Sequence, residues 1–164
     1  MIQEGKALVI HPEKCTGCRL CELVCAVKHD GASNPARSRI RIMKWEMEGT
    51  YIPISCQQCQ DAPCMNVCPA GAIFRKEELD TVAIDQERCI GCRTCVAVCP
   101  FGAMSYNTTD KKVFKCDLCD GDPQCVRFCD IKCVEYLDAG DVSILKKKEA
   151  AAKLIKANQK AALL

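Results

Sequence analysis

The stretch that decides the fold is CTGCRLCELVC at residues 15–25, which returns as CIGCRTCVAVC at residues 89–99. Both copies space four cysteines as C-x2-C-x2-C-x3-C, the ligand spacing of bacterial [4Fe–4S] clusters. Two further quartets lie at residues 56–68 and 116–129, and each has a longer gap before its third cysteine. Because 16 of the 17 cysteines fall into these four quartets, the sequence predicts four [4Fe–4S] clusters.

The sequence is a duplicated unit. Residues 9–25 (VIHPEKCTGCRLCELVC) align without a gap with residues 83–99 (AIDQERCIGCRTCVAVC), and the second and fourth quartets resemble each other with one inserted residue. Each half begins with a short apolar segment, at residues 7–10 or 81–84. We therefore expect each half to run from a strand through a binding loop into a short helix around the fourth cysteine.

A β-hairpin is predicted between the first and second quartets. Residues 39–42 (RIRI) alternate between polar and apolar side chains as a strand does, and residues 48–50 (EGT) form a plausible turn before residues 51–54. The arginines of this segment, Arg37, Arg39 and Arg41, form either a solvated strand face or a docking patch for an acidic partner.

The C-terminal residues 143–164 differ in composition, because they are rich in Ala, Lys and Leu and contain no Gly, Pro or Cys. Their apolar residues recur at helical spacing, which predicts a helix. This helix either lies back on the protein's own surface or docks on a partner or on another copy of the protein.

Composition leaves little room for an ordinary hydrophobic core. Only 5% of the residues are aromatic, and the 17 cysteines inflate the apolar share. Small domains bury too little surface to be secure alone, so the clusters are expected to supply much of the folding free energy. The formal charge of +2 omits the clusters; each bound cluster with its four thiolates adds about −2, so the loaded protein is roughly −6. A nucleic-acid partner is therefore not expected.

The cellular setting is expected to be the cytoplasm. We find neither a signal peptide nor a twin-arginine leader, and no apolar run approaches the roughly 18 residues of a membrane span. Disulfides and zinc are alternative uses of the cysteines, but the first and third quartets suit one metal cluster better than separate bridges or zinc knuckles. Four complete quartets also leave no vacancy for His11 or His29 as ligands.

Four motifs carry a family resemblance: CTGCRLC at residues 15–21, CQQCQDAPC at 56–64, CIGCRTC at 89–95 and KCDLC at 115–119. They resemble the four-cluster iron–sulfur subunits of molybdenum and tungsten oxidoreductases such as dimethyl sulfoxide reductase and formate dehydrogenase. The small size and the CDLCDGDPQCV motif look most like the small subunits that serve tungsten-dependent aldehyde oxidoreductases.

The resemblance implies an α+β fold of two bacterial 2[4Fe–4S] ferredoxin-like units, one inserted in the other, with a hairpin insertion and a C-terminal helix. It places the outer unit at residues 1–36 and 109–142, the hairpin insertion at 37–55, the inner unit at 56–108 and the helical tail at 143–164.

The resemblance also implies crossed ligand sets, in which the fourth cysteine of a quartet serves the neighbouring cluster; the quartets alone do not prove this crossing. In the outer unit the sets are Cys15, Cys18, Cys21 and Cys129, and Cys116, Cys119, Cys125 and Cys25. In the inner unit they are Cys56, Cys59, Cys64 and Cys99, and Cys89, Cys92, Cys95 and Cys68.

The sequence departs from the family pattern in the outer unit. A proline follows the fourth cysteine at Pro69 and Pro100, whereas Ala26 and Asp130 stand at the equivalent outer positions. We expect the local turn and the potential to differ there, and the charge of Asp130 to lower the potential of a nearby cluster.

Cys133 is the one cysteine outside the quartets. It aligns with Ala72 of the inner unit, which predicts a small buried apolar residue. Alternatively, Cys133 replaces Cys129 as a cluster ligand, because its spacing from the loop is also tolerable.

The predicted function is a non-catalytic electron-transfer subunit that relays single electrons through four [4Fe–4S] clusters. As partners we expect a catalytic tungsten or molybdenum aldehyde or formate oxidoreductase subunit, a flavin-containing or ferredoxin acceptor and further copies of the protein, without direct membrane insertion. The alternatives are a free-standing polyferredoxin, a subunit of a hydrogenase or carbon monoxide dehydrogenase and, more distantly, a zinc-binding interaction module.

Overall fold

Short antiparallel strand pairs make up the β structure of the computed structural model, which describes residues 5–145, 147–148 and 151–152. Within these residues eight strands form four two-stranded sheets. The pairs are β1 (Lys6–Ile10) with β8 (Val134–Asp138), β2 (Arg41–Trp45) with β3 (Thr50–Ile54), β4 (Ile73–Lys76) with β5 (Thr81–Ile84), and β6 (Ser105–Asn107) with β7 (Lys112–Phe114).

The predicted strands are confirmed. Residues 7–10 lie in β1 and residues 81–84 form β5. The hairpin predicted within residues 37–55 is the β2–β3 pair, and its first strand begins at Arg41 rather than at Arg39. Before this strand, residues 35–37 form a 3-10 turn. Pro35 favours the turn because its ring fixes φ, and the side chain of Asn34 caps it by accepting a hydrogen bond from the Ala36 N–H.

Each of four helices carries the third cysteine of one quartet. The helices are α1 (Leu20–Asp30), α2 (Pro63–Asn66), α3 (Thr94–Val98) and α4 (Gln124–Arg127), and the cysteines are Cys21, Cys64, Cys95 and Cys125. We expected the helices around the fourth cysteine, which only α1 contains, as Cys25. Together with the strands, the four helices confirm an α+β fold with few helices and short strands.

Helix α1 is the long helix of the set, with 11 residues against five in α3. The backbone leaves α3 at Cys99 and turns at Pro100, since proline cannot continue a helix. Ala26 allows α1 to continue past Cys25 for another turn, until Gly31 ends the helix in the left-handed conformation (φ 67°). The difference expected at Ala26 is therefore present as a longer helix.

The packing is nested along the sequence. The sheet β1–β8 joins the two ends of residues 6–138, and α1 packs against α4, while α2 packs against α3. Two clusters of buried residues follow the same division. One contains Cys21, Cys25, Cys125, Ile40, Ile42 and Val134, and the other contains Cys64, Cys95, Ile73, Val82, Met104 and Val113.

The C-terminal tail is described only in part. The backbone is helical at residues 139–145, 147–148 and 151–152, and the rest of the predicted tail lies outside the described residues. Across the part of the protein that the structure describes, we find no helix with the length and hydropathy of a bilayer span.

Candidate iron–sulfur centres

Two small cavities, both lined by residues between positions 56 and 113, bring together cysteines of the second and third quartets. One is lined by Cys56, Cys59 and Cys64 of the second quartet and by Cys99, the fourth cysteine of the third quartet. The other is lined by Cys89, Cys92 and Cys95 of the third quartet and by Cys68, the fourth cysteine of the second. Each cavity therefore has four cysteines in its wall, in a three-plus-one combination.

Fourth cysteines also lie near cysteines of another quartet in the outer part of the sequence, at residues 15–25 and 116–129. Cys25, the fourth cysteine of the first quartet, lies close enough to the fourth quartet that its charge raises the pKa of Cys116, Cys119 and Cys125, although burial is the larger cause in each case. Cys129 lies in the buried cluster that also holds Cys15 and Cys21. The structure thus brings together every fourth cysteine with cysteines of a neighbouring quartet.

The cysteine sulfurs alone are not gathered at the spacing of a mononuclear zinc site, and the group within metal-binding distance among the described residues is His29, Asp117 and Cys119. Tetrahedral zinc with Zn–S bonds of about 2.3 Å needs sulfurs about 3.8 Å apart. Among the described residues, which include all the cysteines, no three thiol sulfurs lie within 4.8 Å of one another. Four cysteines around one small cavity suit a multi-iron group, in which each thiolate binds a different iron.

Burial raises the pKa of the third cysteine of every quartet. The pKa of Cys21 reaches about 12 and that of Cys95 about 11, first because burial removes the thiolate from water and then because neighbouring charges repel it. The same causes raise the pKa of Cys64 and Cys125. A metal ligand must be a thiolate, so metal loading releases these protons and supplies the positive charge that the buried site lacks.

A backbone N–H points at the sulfur of each fourth cysteine. In three cases the donor lies four residues later: Ala72 for Cys68 (3.3 Å), Ala103 for Cys99 (3.4 Å) and Cys133 for Cys129 (3.2 Å). In the fourth case the sulfur of Cys25 accepts from the N–H of Arg39 at 3.3 Å. Because helix α1 continues past Cys25, the donor has to come from the segment that enters the hairpin.

The turn after Cys129 is kept although Asp130 replaces proline, contrary to the difference that we expected there. Lys132 takes the left-handed conformation (φ 50°) that Gly71 (φ 54°) adopts in the turn after Cys68. Asp130 itself is exposed, which reduces the influence that its charge can have on a neighbouring cluster.

Cys133 is buried at 2% exposure, as its alignment with Ala72 predicted. Its thiol lies beside Cys15, and burial, followed by the charge of Cys15, raises its pKa to about 12. The site therefore combines an apolar environment, as expected for a packing residue, with a position next to the ligand cysteines, as expected for a ligand.

A charged network that sequence reasoning missed surrounds the sulfur of Cys119. The imidazole Nε2 of His29 lies 3.5 Å from this sulfur and 3.5 Å from Asp117, whose carboxylate accepts the N–H of Cys119 at 3.0 Å and pairs with Arg39. Burial raises the pKa of Asp117, but Arg39 and then His29 outweigh it and hold that pKa below its usual value. Burial, followed by the charge of Arg39, lowers the pKa of His29.

Each arginine of the hairpin segment is partly exposed and has a partner within the protein, and the docking of an acidic partner stays a prediction. Arg37 pairs with Asp30 (3.7 Å), Arg39 pairs with Asp117, and Arg41 donates to the Pro35 carbonyl. The one signal in the sequence was the absence of proline at position 26, which lets α1 extend to His29.

Two glycines allow the cysteine-containing loops to pack closely against neighbouring groups. Gly17 (φ +71°) lies under the ring of Tyr51, where an added Cβ would be 2.6 Å from the ring. Gly91 (φ +68°) lies against the carbonyl oxygen of Lys111, where an added Cβ would be 2.3 Å away. Both positions favour glycine because of the left-handed φ and the lack of space.

Comparisons with known proteins agree with this site. Residues 47–139 match the model of a 4Fe-4S dicluster domain and residues 8–25 match that of a 4Fe-4S binding domain. The sequence is 41% identical over 128 residues to the polyferredoxin-like subunit of aliphatic sulfonate oxidoreductase from Pyrococcus furiosus, covering 78% of this protein and 73% of the relative. It is 36% identical over 159 residues to a subunit of the anaerobic dimethyl sulfoxide reductase of Escherichia coli, covering 85% of this protein and 75% of the relative.

A solved structure shares the fold. One polypeptide of the BamBC active site complex of benzoyl coenzyme A reductase with benzoyl-CoA superimposes with a TM-score of 0.51 at 23% identity, covering 92% of this protein and 96% of that polypeptide. With its quartets of cysteines, its two matched 4Fe-4S domains and these relatives, the protein belongs to the 4Fe-4S ferredoxin-type electron-transfer subunits of oxidoreductase complexes.

Proposed function

We propose that the protein holds four [4Fe–4S] clusters and relays single electrons between a catalytic oxidoreductase subunit and a downstream acceptor. The ligand sets are those with three cysteines from one quartet and the fourth from its neighbour. They are Cys15, Cys18, Cys21 and Cys129; Cys116, Cys119, Cys125 and Cys25; Cys56, Cys59, Cys64 and Cys99; and Cys89, Cys92, Cys95 and Cys68.

The observation that carries this proposal is the crossing of the fourth cysteines. In the inner half, one cavity wall contains Cys99 with the second quartet and another contains Cys68 with the third. The nested packing of α1 on α4 and of α2 on α3 supports two ferredoxin-like units, the outer one at residues 1–36 and 109–142 and the inner one at 56–108.

In this proposal the four sites follow one another in a line. Cys56 of the second quartet lies close enough to Cys116 of the fourth for its charge to raise the pKa of Cys116, after burial and the charges of Asp117 and Cys25. The two units therefore meet at these middle quartets. At the ends, Cys18 and Cys92 are exposed, whereas the other cysteines are at least partly buried. This layout offers one exposed end for entry of electrons and another for their exit.

When bound, the clusters supply reversible one-electron redox chemistry. The protein's own residues would hold the clusters at fixed spacing. They also exclude water from the thiols that lie on the helices, and they determine the charge around each site. Backbone N–H groups at the sulfurs of the fourth cysteines favour the more negative, reduced state. We propose that the protein acts as a non-catalytic subunit, as its electron-transfer relatives do by name, and that it works in the cytoplasm.

The names of the relatives describe subunits of oxidoreductases. We therefore propose a catalytic oxidoreductase subunit as the partner of this protein. The resemblance of the motifs favours a tungsten or molybdenum aldehyde or formate oxidoreductase. A flavin-containing protein or a ferredoxin is the acceptor that we propose, and further copies of the protein could extend the line.

Anaerobic reductive titration combined with affinity purification from the native host tests this proposal. We expect about four electrons to be accepted per polypeptide, and a tungsten- or molybdenum-containing polypeptide to co-purify. Four electrons without such a polypeptide would favour a free-standing polyferredoxin, and co-purification of a hydrogenase or carbon monoxide dehydrogenase would assign that partner instead. Uptake of two electrons or fewer would contradict the four-cluster relay.

A further inference from the structure

Lys115 is a lysine in the interior of the protein. Its residue is 3% exposed, and its ammonium Nζ donates to the carbonyl of Cys116 at 2.8 Å and to the side-chain oxygen of Gln58 at 3.3 Å. Both acceptors are uncharged. Burying an ammonium group is strongly unfavourable unless a negative charge compensates it.

The other cations of the same cleft already have carboxylate partners. Arg39 pairs with Asp117, and Lys76 pairs with Asp120 at 2.7 Å. Within the described part of the protein, no carboxylate lies at ion-pair distance from Lys115. Its compensating negative charge must therefore come from another group nearby.

Cysteines of the second and fourth quartets lie close to this ammonium group. Lys115 directly precedes Cys116, and its charge lowers the pKa of Cys64, although burial and the charge of Cys56 raise that pKa more. Cys56 in turn lies close enough to Cys116 to affect its pKa. Lys115 thus lies where the fourth quartet meets the second.

Gln58 fixes the ammonium group at this junction. Its side-chain N–H donates to the carbonyl of Cys116 at 2.8 Å, and its side-chain oxygen accepts from the N–H of Val82 at 2.9 Å. Because both ends of the amide are engaged, the oxygen that receives Lys115 is held in place. The position of the charge is therefore built into the contact between the two units.

We propose that Lys115 is the shared counter-cation of the two middle clusters, positioned by Gln58, and that it raises the potentials of both. This inference rests on the proposed function, because it requires clusters at Cys116, Cys119, Cys125 and Cys25 and at Cys56, Cys59, Cys64 and Cys99. Reduction adds negative charge to a cluster, so a fixed cation beside it favours the reduced state. One cation between two sites keeps both reducible and eases the passage of an electron from one to the other.

The test is a redox titration of the loaded protein, followed by electron paramagnetic resonance, for Lys115→Met, Lys115→Arg and the exposed control Lys44→Met. In Lys115→Met two of the four clusters should lose at least tenfold in their equilibrium constant for one-electron reduction, which is about 59 mV, while the other two stay unchanged. Lys115→Arg keeps the charge and should restore the wild-type potentials, and Lys44→Met should leave all four unchanged.

A second variant keeps the test decisive if Lys115→Met does not load. Gln58→Glu places a carboxylate beside the lysine and neutralises its charge, so it should lower the potentials of the same two clusters. A fully loaded variant of either kind with wild-type potentials, or with equal shifts at all four clusters, would overturn the inference. Failure of the proposed function would be visible separately, as fewer than four clusters in the wild-type protein.

Discussion

The buried carboxylate of Glu22 connects helix α1 to the hairpin, and we expect its removal to lower the stability of the protein. Glu22 is 0% exposed; it accepts the N–H of Ile42 at 2.7 Å and the guanidinium Nε of Arg19 at 2.5 Å. Arg41 lies 3.7 Å away. The first quartet and the hairpin that covers it are thus connected through one side chain.

The magnitude for Glu22→Ala follows from these contacts. The N–H of Ile42 would be left buried without an acceptor, which costs about 1–3 kcal/mol. Arg19 and Arg41 are 41% and 39% exposed at their side chains and can turn to water, so their share is small. We expect a loss of about 3 kcal/mol, at the low end of the roughly 3–5 kcal/mol typical of a fully buried pair, and a fall in the unfolding temperature of about 10 °C.

The assay is anaerobic thermal unfolding of the loaded protein at a fixed scan rate, since cluster loss makes unfolding irreversible. Glu22→Gln keeps an acceptor for Ile42 and should lose only about 1 kcal/mol. Glu48→Ala, at the exposed hairpin turn, is the matched surface control. If Glu22→Ala unfolded at about the same temperature as Glu48→Ala, the reasoning from the buried carboxylate would be refuted.

Further predictions concern the cluster loops and their charges. Gly91→Ala should abolish loading of one cluster, because its Cβ meets a backbone carbonyl, whereas Gly102→Ala has the same left-handed φ but open space and should cost only about 1–2 kcal/mol; equal iron contents in the two variants would contradict this. Cys129→Ala should lose a cluster and Cys133→Ala should not, as counted by iron content; the reverse result would make Cys133 the ligand. Asp117→Asn removes a half-buried negative charge and should raise the potential of one cluster in a redox titration; unchanged potentials would contradict that. Because burial raises the thiol pKa values to between about 11 and 12 in several cases, protons compete for the ligands, and iron release to a chelator should accelerate as the pH falls from about 8 to about 6; a rate independent of pH would count against this.

Local sequence patterns predicted the elements that depend on neighbouring residues. Apolar runs at residues 7–10 and 81–84 became strands, and alternation followed by a glycine turn became the β2–β3 hairpin. The position of Cys133 followed from its alignment with Ala72. These features depend on residues that are close together in the sequence, so the local sequence pattern is enough to predict them.

The charges around the clusters could not be predicted in the same way. Arg39 lies 78 positions from Asp117, and Lys115 lies 57 positions from Gln58, so their pairing depends on how the two halves pack. The loss of proline at position 26 was visible, but its consequence, the placement of His29 beside Cys119, required the path of α1. The ligand sets rest on the same long-range packing and remain a proposal.

Iron and acid-labile sulfide, counted per polypeptide on protein purified without oxygen, test the central claim most directly. Four [4Fe–4S] clusters require about sixteen irons and about sixteen sulfides per polypeptide. About eight of each would contradict the four-cluster relay by leaving half of the quartets without a cluster. Zinc in place of iron, without sulfide, would contradict the account as a whole.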